Sequence, residues 1–126
     1  MAEFSNYMEN KIIEVMRATA FAAAAAYVAL YTTDPTDADT GTEVSGGAYA
    51  RQLAGLTAGA DGLSSNAADI TFPTATAAWG TITHLGIRDA LTLGNLYMYS
   101  ILDASKVVAS GDTFKINAGD LDVSIA

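Results

Sequence analysis

The residues most able to do chemistry in this sequence are a run of carboxylates, a single histidine and two aspartates at i, i+2 spacing. The carboxylates lie in a stretch rich in turn-forming residues, and they are Asp34, Asp37, Asp39 and Glu43. Calcium prefers several flexible oxygen ligands, but this spacing lacks the Asp-x-Asp-x-Asp-Gly order of an EF-hand. The stretch is therefore either a solvated acidic loop, the interpretation we favour, or a fortuitous calcium site.

Catalysis would have to rely on His84 or on the pair Asp120 and Asp122. The chain has no cysteine, and His84 is its one histidine. No Gly-x-Ser-x-Gly elbow accompanies this base. The two aspartates share one face of a predicted strand, but a flanking glycine indicates exposure, whereas a general acid needs an apolar pocket. We expect no catalytic residues, and we predict that the chain is not an enzyme.

No cofactor or metal is predicted either. Gly46-Gly47 is followed by Ala48-Tyr49, without the Gly-Lys-Ser/Thr or Gly-x-Gly-x-x-Gly order that binds phosphates. Aromatic residues could form a platform for sugar rings, as on many β-sandwiches. The candidates are Tyr49, Phe72, Trp79, Tyr97 and Tyr99. We expect them mainly in the core or in subunit contacts, and a host glycan stays open as a partner.

Length and charge narrow the function classes further. The chain has 126 residues, the usual size of one domain, and 14 acidic against 6 basic residues give a net charge of -8. This charge repels phosphate backbones and anionic membrane surfaces, so neither nucleic acid nor membrane is expected as a partner. The apolar run from Ala20 to Tyr31 is too short for a bilayer span, which needs about 20 residues.

The first segment predicts a helix. Asn6 is a plausible N-cap, and Glu9 three residues later completes a capping-box pattern. Apolar residues recur at helical spacing at Met8, Ile12, Val15 and Met16. The alanines of residues 22–26 favour a longer helix.

The rest of the chain predicts short strands. Tyr27 to Thr32 is rich in β-branched and aromatic residues. Further candidates are residues 48–56, 70–72, 81–88, 95–102, 106–108, 113–117 and 121–125. Turn signals separate them at 46–47, 59–62, 94–95, 110–112 and 118–120. Residues 81–88 alternate, with Ile82, His84, Gly86 and Arg88 predicted on one face.

These elements predict a mainly β, single-domain protein, an antiparallel β-sandwich or barrel of jelly-roll type with one N-terminal α-helix. We expect residues 1–26 to form the helix and an alanine-rich connection. Residues 27–126 are expected to form the β-sandwich. The two segments together make one domain.

An ordered series of segments resembles a known family. The segments are FSNYMENK (4–11), YVALYTTDP (27–35), GTEVSGGAYARQ (41–52), ITFPTATAAWG (70–80), SGDTF (110–114) and AGDL (118–121). Together they resemble small bacteriophage and prophage virion proteins, often labelled tail-fibre or structural proteins. The resemblance implies a non-enzymatic particle component in which Gly46-Gly47, Tyr49-Ala50-Arg51 and Trp79-Gly80 are scaffold positions.

The expected function is a virion structural protein, a small subunit docked in many copies as a capsid decoration (cement) protein or in association with the tail. The alternative is a tail-fibre or tail-tip module that binds a receptor or glycan. Its partners would be other virion proteins and further copies of itself, and its location the virion after synthesis in the host cytoplasm. The candidate subunit or partner contacts are Tyr7, Met8, Ile12, Tyr49, Arg51, Trp79 and His84.

Overall fold

The computed structural model of the protein describes residues 3–125. Its elements in chain order are β1 (Glu3–Phe4), α1 (Asn6–Met16), β2 (Tyr27–Tyr31), β3 (Gln52–Leu53), β4 (Leu63–Ser65), β5 (Ile70–Thr71), β6 (Gly80–Arg88), β7 (Leu96–Val108), β8 (Lys115–Ile116) and β9 (Asp122–Ser124). The predicted class is confirmed: the protein is a mainly β, sandwich-like domain with an N-terminal helix.

Five strands form one antiparallel sheet in the order β1-β7-β6-β2-β3. The pairs β4–β9 and β5–β8 form two smaller antiparallel sheets. The β6–β7 hairpin is the centre of the large sheet, with Gly80 opposite Val108 at one end and Arg88 opposite Leu96 at the other. The turn between these strands, residues 89–95, therefore projects from one end of the sheet.

A buried cluster joins the large sheet to the β5–β8 pair. Its largest members are Val28, Leu30, Ile70, Phe72, Trp79, Ile82, Val108, Ile116 and Leu121. Fully burying one such side chain stabilises the fold by about 1.5–3 kcal/mol relative to exposure. The ring of Phe72 stacks on Tyr49, with centroids 6.2 Å apart, and meets the Phe114 ring edge-on. The fold's stability therefore comes from contacts between the two layers.

The strand β2 is buried on both faces, which explains its unbroken apolar sequence. Val28 and Leu30 enter the cluster between the layers, while Tyr31 lies on the opposite face beside Gly86. A Cβ atom at Gly86 would lie 2.6 Å from the Tyr31 ring and 2.9 Å from Leu96. Gly86 is thus required because the Tyr31 ring occupies the space that a side chain at position 86 would need.

Several strand boundaries differ from the sequence prediction. Residues 48–56 form a strand only at Gln52–Leu53, which pair with β2, while Leu56 makes an isolated bridge to Asn66. Residues 95–102 and 106–108 belong to one strand, β7. The strands β1 and β4 were not predicted, since two or three residues without alternation carry no periodic signal.

The predicted alternation in β6 is correct over its second half. His84, Gly86 and Arg88 lie opposite Tyr31, Ala29 and Tyr27 of β2. A register shift follows Ile82, which lies in the buried cluster against which Leu85 also packs. The assignment of Ile82 to the His84 face was therefore wrong, because a β-bulge moves one residue out of the period of two.

The helix begins one residue earlier than predicted and ends before the alanine run. Ser5, not Asn6, is the N-cap, and its hydroxyl oxygen accepts the backbone N–H of Met8. At the other end the N–H of Thr19 donates to the Glu14 carbonyl around Ala18, whose φ of 62° is left-handed. This closing pattern satisfies the last carbonyls and turns the chain away, so residues 22–26 do not extend the helix. Within residues 3–125 no helix has the length and apolar content needed to cross a bilayer.

Candidate functional site

Two arginines are buried at the end of the large sheet from which residues 89–95 project. Arg51 is 7% exposed and Arg88 is 8% exposed. A buried guanidinium is costly unless its charge is paired and its N–H groups are hydrogen-bonded. The partners of these two side chains therefore show what this end of the molecule is built to hold.

Arg51 pairs with Glu43 through two parallel hydrogen bonds. Its Nε donates to Oε2 at 2.8 Å and its Nη2 to Oε1 at 2.7 Å. The Tyr49 hydroxyl donates to the same Oε2 at 2.6 Å and accepts the backbone N–H of Leu30 at 3.0 Å. Burial alone would raise the pKa of Glu43, but the bonds from Arg51 and Tyr49 outweigh it and hold that pKa below its ordinary value. Glu43 is thus a carboxylate fixed in its charged form.

Arg88 makes the equivalent pair with Asp39. Its Nη1 and Nη2 donate to the two carboxylate oxygens at 2.7 and 2.8 Å, and Nη1 also donates to the Tyr31 hydroxyl at 2.9 Å. Burial raises the pKa of Tyr31 despite the opposing effect of the Arg88 charge. Burial would lower the pKa of Arg88, but its bonds to Asp39 and Tyr31 raise it. Hydrogen bonding to the two carboxylates thus raises the pKa of both arginines and keeps them charged at neutral pH.

The remaining N–H groups of the two arginines hold the β6–β7 turn, and we call residues 90–95 the tip loop. Arg51 Nη1 donates to the carbonyls of Ala90 and Leu93 at 2.7 and 2.8 Å. Arg88 donates to the carbonyls of Leu93 and Gly94 at 3.3 and 2.9 Å. At the base of the loop the Asp89 carboxylate accepts the backbone N–H of Asn95 at 2.7 Å. The tip loop is consequently fixed from inside by charged hydrogen bonds, which are about twice as strong as neutral ones.

The tip loop presents apolar side chains to solvent. Leu91 is 52% exposed and Leu93 is 83% exposed. Leu93 has a φ of 55°, in the left-handed region that costs a non-glycine residue roughly 1–3 kcal/mol. The bonds from both arginines to the Leu93 carbonyl hold this conformation in place. The result is a rigid apolar projection on an otherwise acidic protein.

The chain also matches a known protein family. The family model described as Podophage GP4 fiber I protein gp80 matches residues 3–124. The chain belongs to this family. No curated protein matches the chain.

Membership of this fibre-protein family confirms the resemblance seen in the sequence. The family is of the phage tail-fibre structural type, so the protein is a virion component that associates with other virion components. The match includes α1 and the tip loop as well as every strand described above. The helix α1 and the tip loop therefore both lie inside the part of the chain that matches the family model.

His84 is half-buried on β6. Its Nδ1 lies 2.8 Å from the Thr83 hydroxyl, and its Nε2 is 3.9 Å from Asp34, too far for a hydrogen bond. In the part of the chain that the structure describes, no carboxylate thus orients the ring, as the acid of a hydrolytic triad would. Asp120 and Asp122 are exposed beside a cleft of about 350 Å³ between β9 and the β6–β7 hairpin. These aspartates lack the burial that would make either one a general acid.

The acidic loop is used inside the molecule. Asp39 and Glu43 pair with the two buried arginines, and Asp37 accepts the Tyr99 hydroxyl. The Asp34 carboxylate accepts the backbone N–H of Thr36 at 2.9 Å. Among residues 3–125 no group of three His, Cys, Asp or Glu side chains is placed to hold a metal ion. The carboxylates therefore act separately, each in its own contact.

The aromatic candidates lie mostly in the interior. Trp79, Phe72 and Tyr99 are 6, 1 and 8% exposed. The Trp79 N–H donates to the Gly47 carbonyl at 2.8 Å, and its ring meets Tyr49 edge-on. Tyr97 stacks on Tyr7 of the helix, with ring centroids 6.2 Å apart. These rings do not form one exposed platform.

Apart from His84, the residues predicted as partner contacts fall into two groups. Tyr7, Met8 and Ile12 are half-buried on the side of α1 that faces β1 and β7. Tyr49, Arg51 and Trp79 converge inside the domain. Sequence reasoning missed Tyr31, Arg88 and the tip-loop leucines. The available signal was an arginine at an inward position of an alternating strand, followed by two leucines in a turn.

Proposed function

We propose that this protein is a non-enzymatic structural subunit of a phage tail fibre, present in many copies and bound to other virion proteins. The observation that carries the proposal is the family match over residues 3–124 to a podophage fibre protein. A capsid decoration role is the alternative location. Imaging of purified virions decides between them: density at the tail supports the proposal, and density spread over the capsid lattice overturns it.

We further propose that the tip loop is the surface that docks into another virion protein. Its backbone is held by both buried arginines, so little conformational entropy is lost when it binds. Leu91 and Leu93 are anchors of the size that apolar pockets accept. Burial would contribute about 1.5–3 kcal/mol at Leu93 and about half of that at Leu91, because Leu91 is only 52% exposed.

The test is a double variant, Leu91→Ser with Leu93→Asn. Asparagine tolerates the left-handed backbone at position 93, so the loop keeps its shape while losing its apolar surface. Val107→Ser is the matched control, because Val107 is 72% exposed on β7. Each variant is supplied to a phage that lacks the wild-type gene, and copies per purified particle are counted by mass spectrometry. We expect a tenfold or larger loss for the tip variant alone, since the two leucines together contribute about 2 kcal/mol or more and a tenfold change corresponds to about 1.4 kcal/mol. Equal incorporation of all three proteins overturns the docking role.

Partner contact through the predicted residues is part of the same proposal. Tyr7, Met8 and Ile12 are half-buried and can touch a neighbour, whereas only 13% of the His84 side chain is exposed for such a contact. Tyr49, Arg51 and Trp79 would act from behind the surface, by holding the tip loop and the Gly47 turn in shape. Receptor or glycan binding has little support, because most of the aromatic candidates are buried. A glycan array probed with the protein at high density tests it directly, and specific binding would change the assignment.

A further inference from the structure

The outward side of α1 is exposed to solvent beyond its first residue, whose backbone N–H donates to the Asp37 carbonyl at 2.8 Å. Helical spacing places Asn6, Glu9, Ile13, Met16 and Arg17 on this side. Ile13 is 50% exposed and Met16 is 74% exposed, and no residue of the helix is buried. The helix therefore keeps part of its apolar surface in water.

Such a helix gains little from its own domain. An isolated helix shorter than about 12–15 residues is marginal in water, and most helical stability in proteins comes from packing. α1 has 11 residues and leans on the sheet through half-buried contacts such as the Tyr7–Tyr97 stack. A partner on the outward side would supply the packing that the domain does not provide.

The charges on this side indicate which partner fits. Glu9, Ile13 and Arg17 follow one another at intervals of four residues, so one row reads acidic, apolar, basic. This row is complementary to itself when two copies run antiparallel about Ile13. Glu9 of each copy then faces Arg17 of the other, whereas a parallel pair would bring like charges together. Arg17 is free to turn, because its pair with Glu14 at 3.0 Å is solvent-exposed and such pairs contribute little.

We infer that α1 pairs antiparallel with α1 of a second copy of this chain, with Ile13 at the two-fold axis. The inference concerns contacts between like subunits and does not depend on the tip loop or its binding partner. Two helices of this length bury less than the roughly 1,200–2,000 Å² of a stable interface. The dimer is therefore concentration-dependent in solution and is strengthened where copies are held side by side on a particle.

Sedimentation velocity over a wide concentration range at low salt tests the inference. The variants are Glu9→Arg, Arg17→Glu and the double variant carrying both changes. Each single change places like charges opposite one another twice per dimer, so we expect roughly tenfold weaker association. The double variant restores the original pairing with the charges exchanged and recovers the wild-type affinity. Ile13→Asp abolishes the dimer, and circular dichroism checks that every variant keeps its fold.

Controls separate this interface from general charge effects and from the tip loop. Asp103→Arg and Lys106→Glu make the same changes in net charge on β7, at exposed positions, and leave the dimer intact. The Leu91→Ser/Leu93→Asn protein also still dimerises. A wild-type protein that is monomeric at every concentration, one that sediments as a trimer, or a double variant that does not recover overturns the inference.

Discussion

The tip loop and the helix α1 are two small surface elements that are stabilised in opposite ways. The tip loop is held by two buried arginines that donate hydrogen bonds to its carbonyls. The helix α1 has no buried residue and rests on the sheet through half-buried contacts. Each presents apolar side chains to solvent, but only the tip loop is shaped from within the domain.

The difference shows how each surface can be expected to behave. The backbone of the tip loop is already ordered when the chain folds, so little further conformational entropy is lost when a partner binds to it. The helix gains further stabilising contacts only when another surface packs on its outward side. Loss of a core or network residue should therefore destabilise the monomer, whereas changes on the helix surface should affect association.

The largest effect is expected in the buried cluster between the large sheet and the β5–β8 pair. Trp79→Ala should cost about 3–5 kcal/mol, because it leaves a cavity beside Tyr49 and removes the bond to the Gly47 carbonyl. Urea denaturation measures the loss. Trp79→Phe keeps an aromatic ring and should cost less. An unchanged midpoint for the alanine variant would contradict the burial of the indole.

Arg51→Met comes next and acts on the tip loop directly. It removes the partner of Glu43 and two bonds to loop carbonyls, with an expected cost of about 2–3 kcal/mol. Hydrogen exchange should become faster in residues 90–95 and stay unchanged in α1. Arg51→Lys keeps the charge but not the planar fork, so it should recover only part of the loss. Equal exchange in the variant and the wild type would show that the loop holds its own shape.

Acid should weaken the same network to a smaller extent. The folded-state pKa of Glu43 lies below its ordinary value of 4.5. A depressed carboxyl pKa contributes stability that is present above the unfolded-state pKa and is lost as the pH falls through the folded-state pKa. The urea midpoint should therefore be flat from neutral pH to about 5 and fall below about 4.5. Glu43→Gln should start lower at neutral pH and fall less steeply, and parallel curves for the two proteins would exclude this origin.

The smallest effect is expected on the outward side of the helix, where Met16 can be compared with Met98 of β7 as a matched pair. Met16→Ala changes a side chain that is 74% exposed, so the monomer should change by less than about 0.5 kcal/mol. Met98→Ala makes the same chemical change at 6% exposure and should cost about 2–5 kcal/mol. Thermal and urea unfolding at low protein concentration measure both. Similar losses of unfolding free energy at the two positions would contradict the expected difference between the helix surface and the sheet.

Much of the fold was predictable where the chain repeats a simple pattern. The unbroken apolar run of β2 and the alternating half of β6 predicted strands that the structure contains. Glycines at turn positions also marked real turns, since Gly46, Gly47, Gly94, Gly111 and Gly119 have positive φ angles. The strands β1 and β4 were not predicted, because they are only two and three residues long and their pairing is decided by partners distant in sequence.

The helix boundary and the candidate site show what local rules omit. Alanine propensity favoured a helix through residues 22–26, yet the closing bonds around Ala18 end it earlier. Glu43 and Asp39 looked like members of one acidic loop, but each belongs to a different arginine. Local propensity depends only on neighbouring residues. It therefore cannot predict that Glu43 pairs with Arg51, 8 positions away, or that Asp39 pairs with Arg88, 49 positions away.

The sequence by itself determined the class of this protein: a cysteine-free, acidic, mainly β domain with one helix and the ordered segments of a phage virion family. These properties follow from composition and short-range periodicity, which folding does not change. Only the tertiary structure decided that the acidic loop neutralises buried arginines, that the aromatic rings point inward and that the tip loop and the outward side of α1 remain apolar surfaces. Exposure and ion pairing depend on which distant segments meet, and the packing of the two layers sets that.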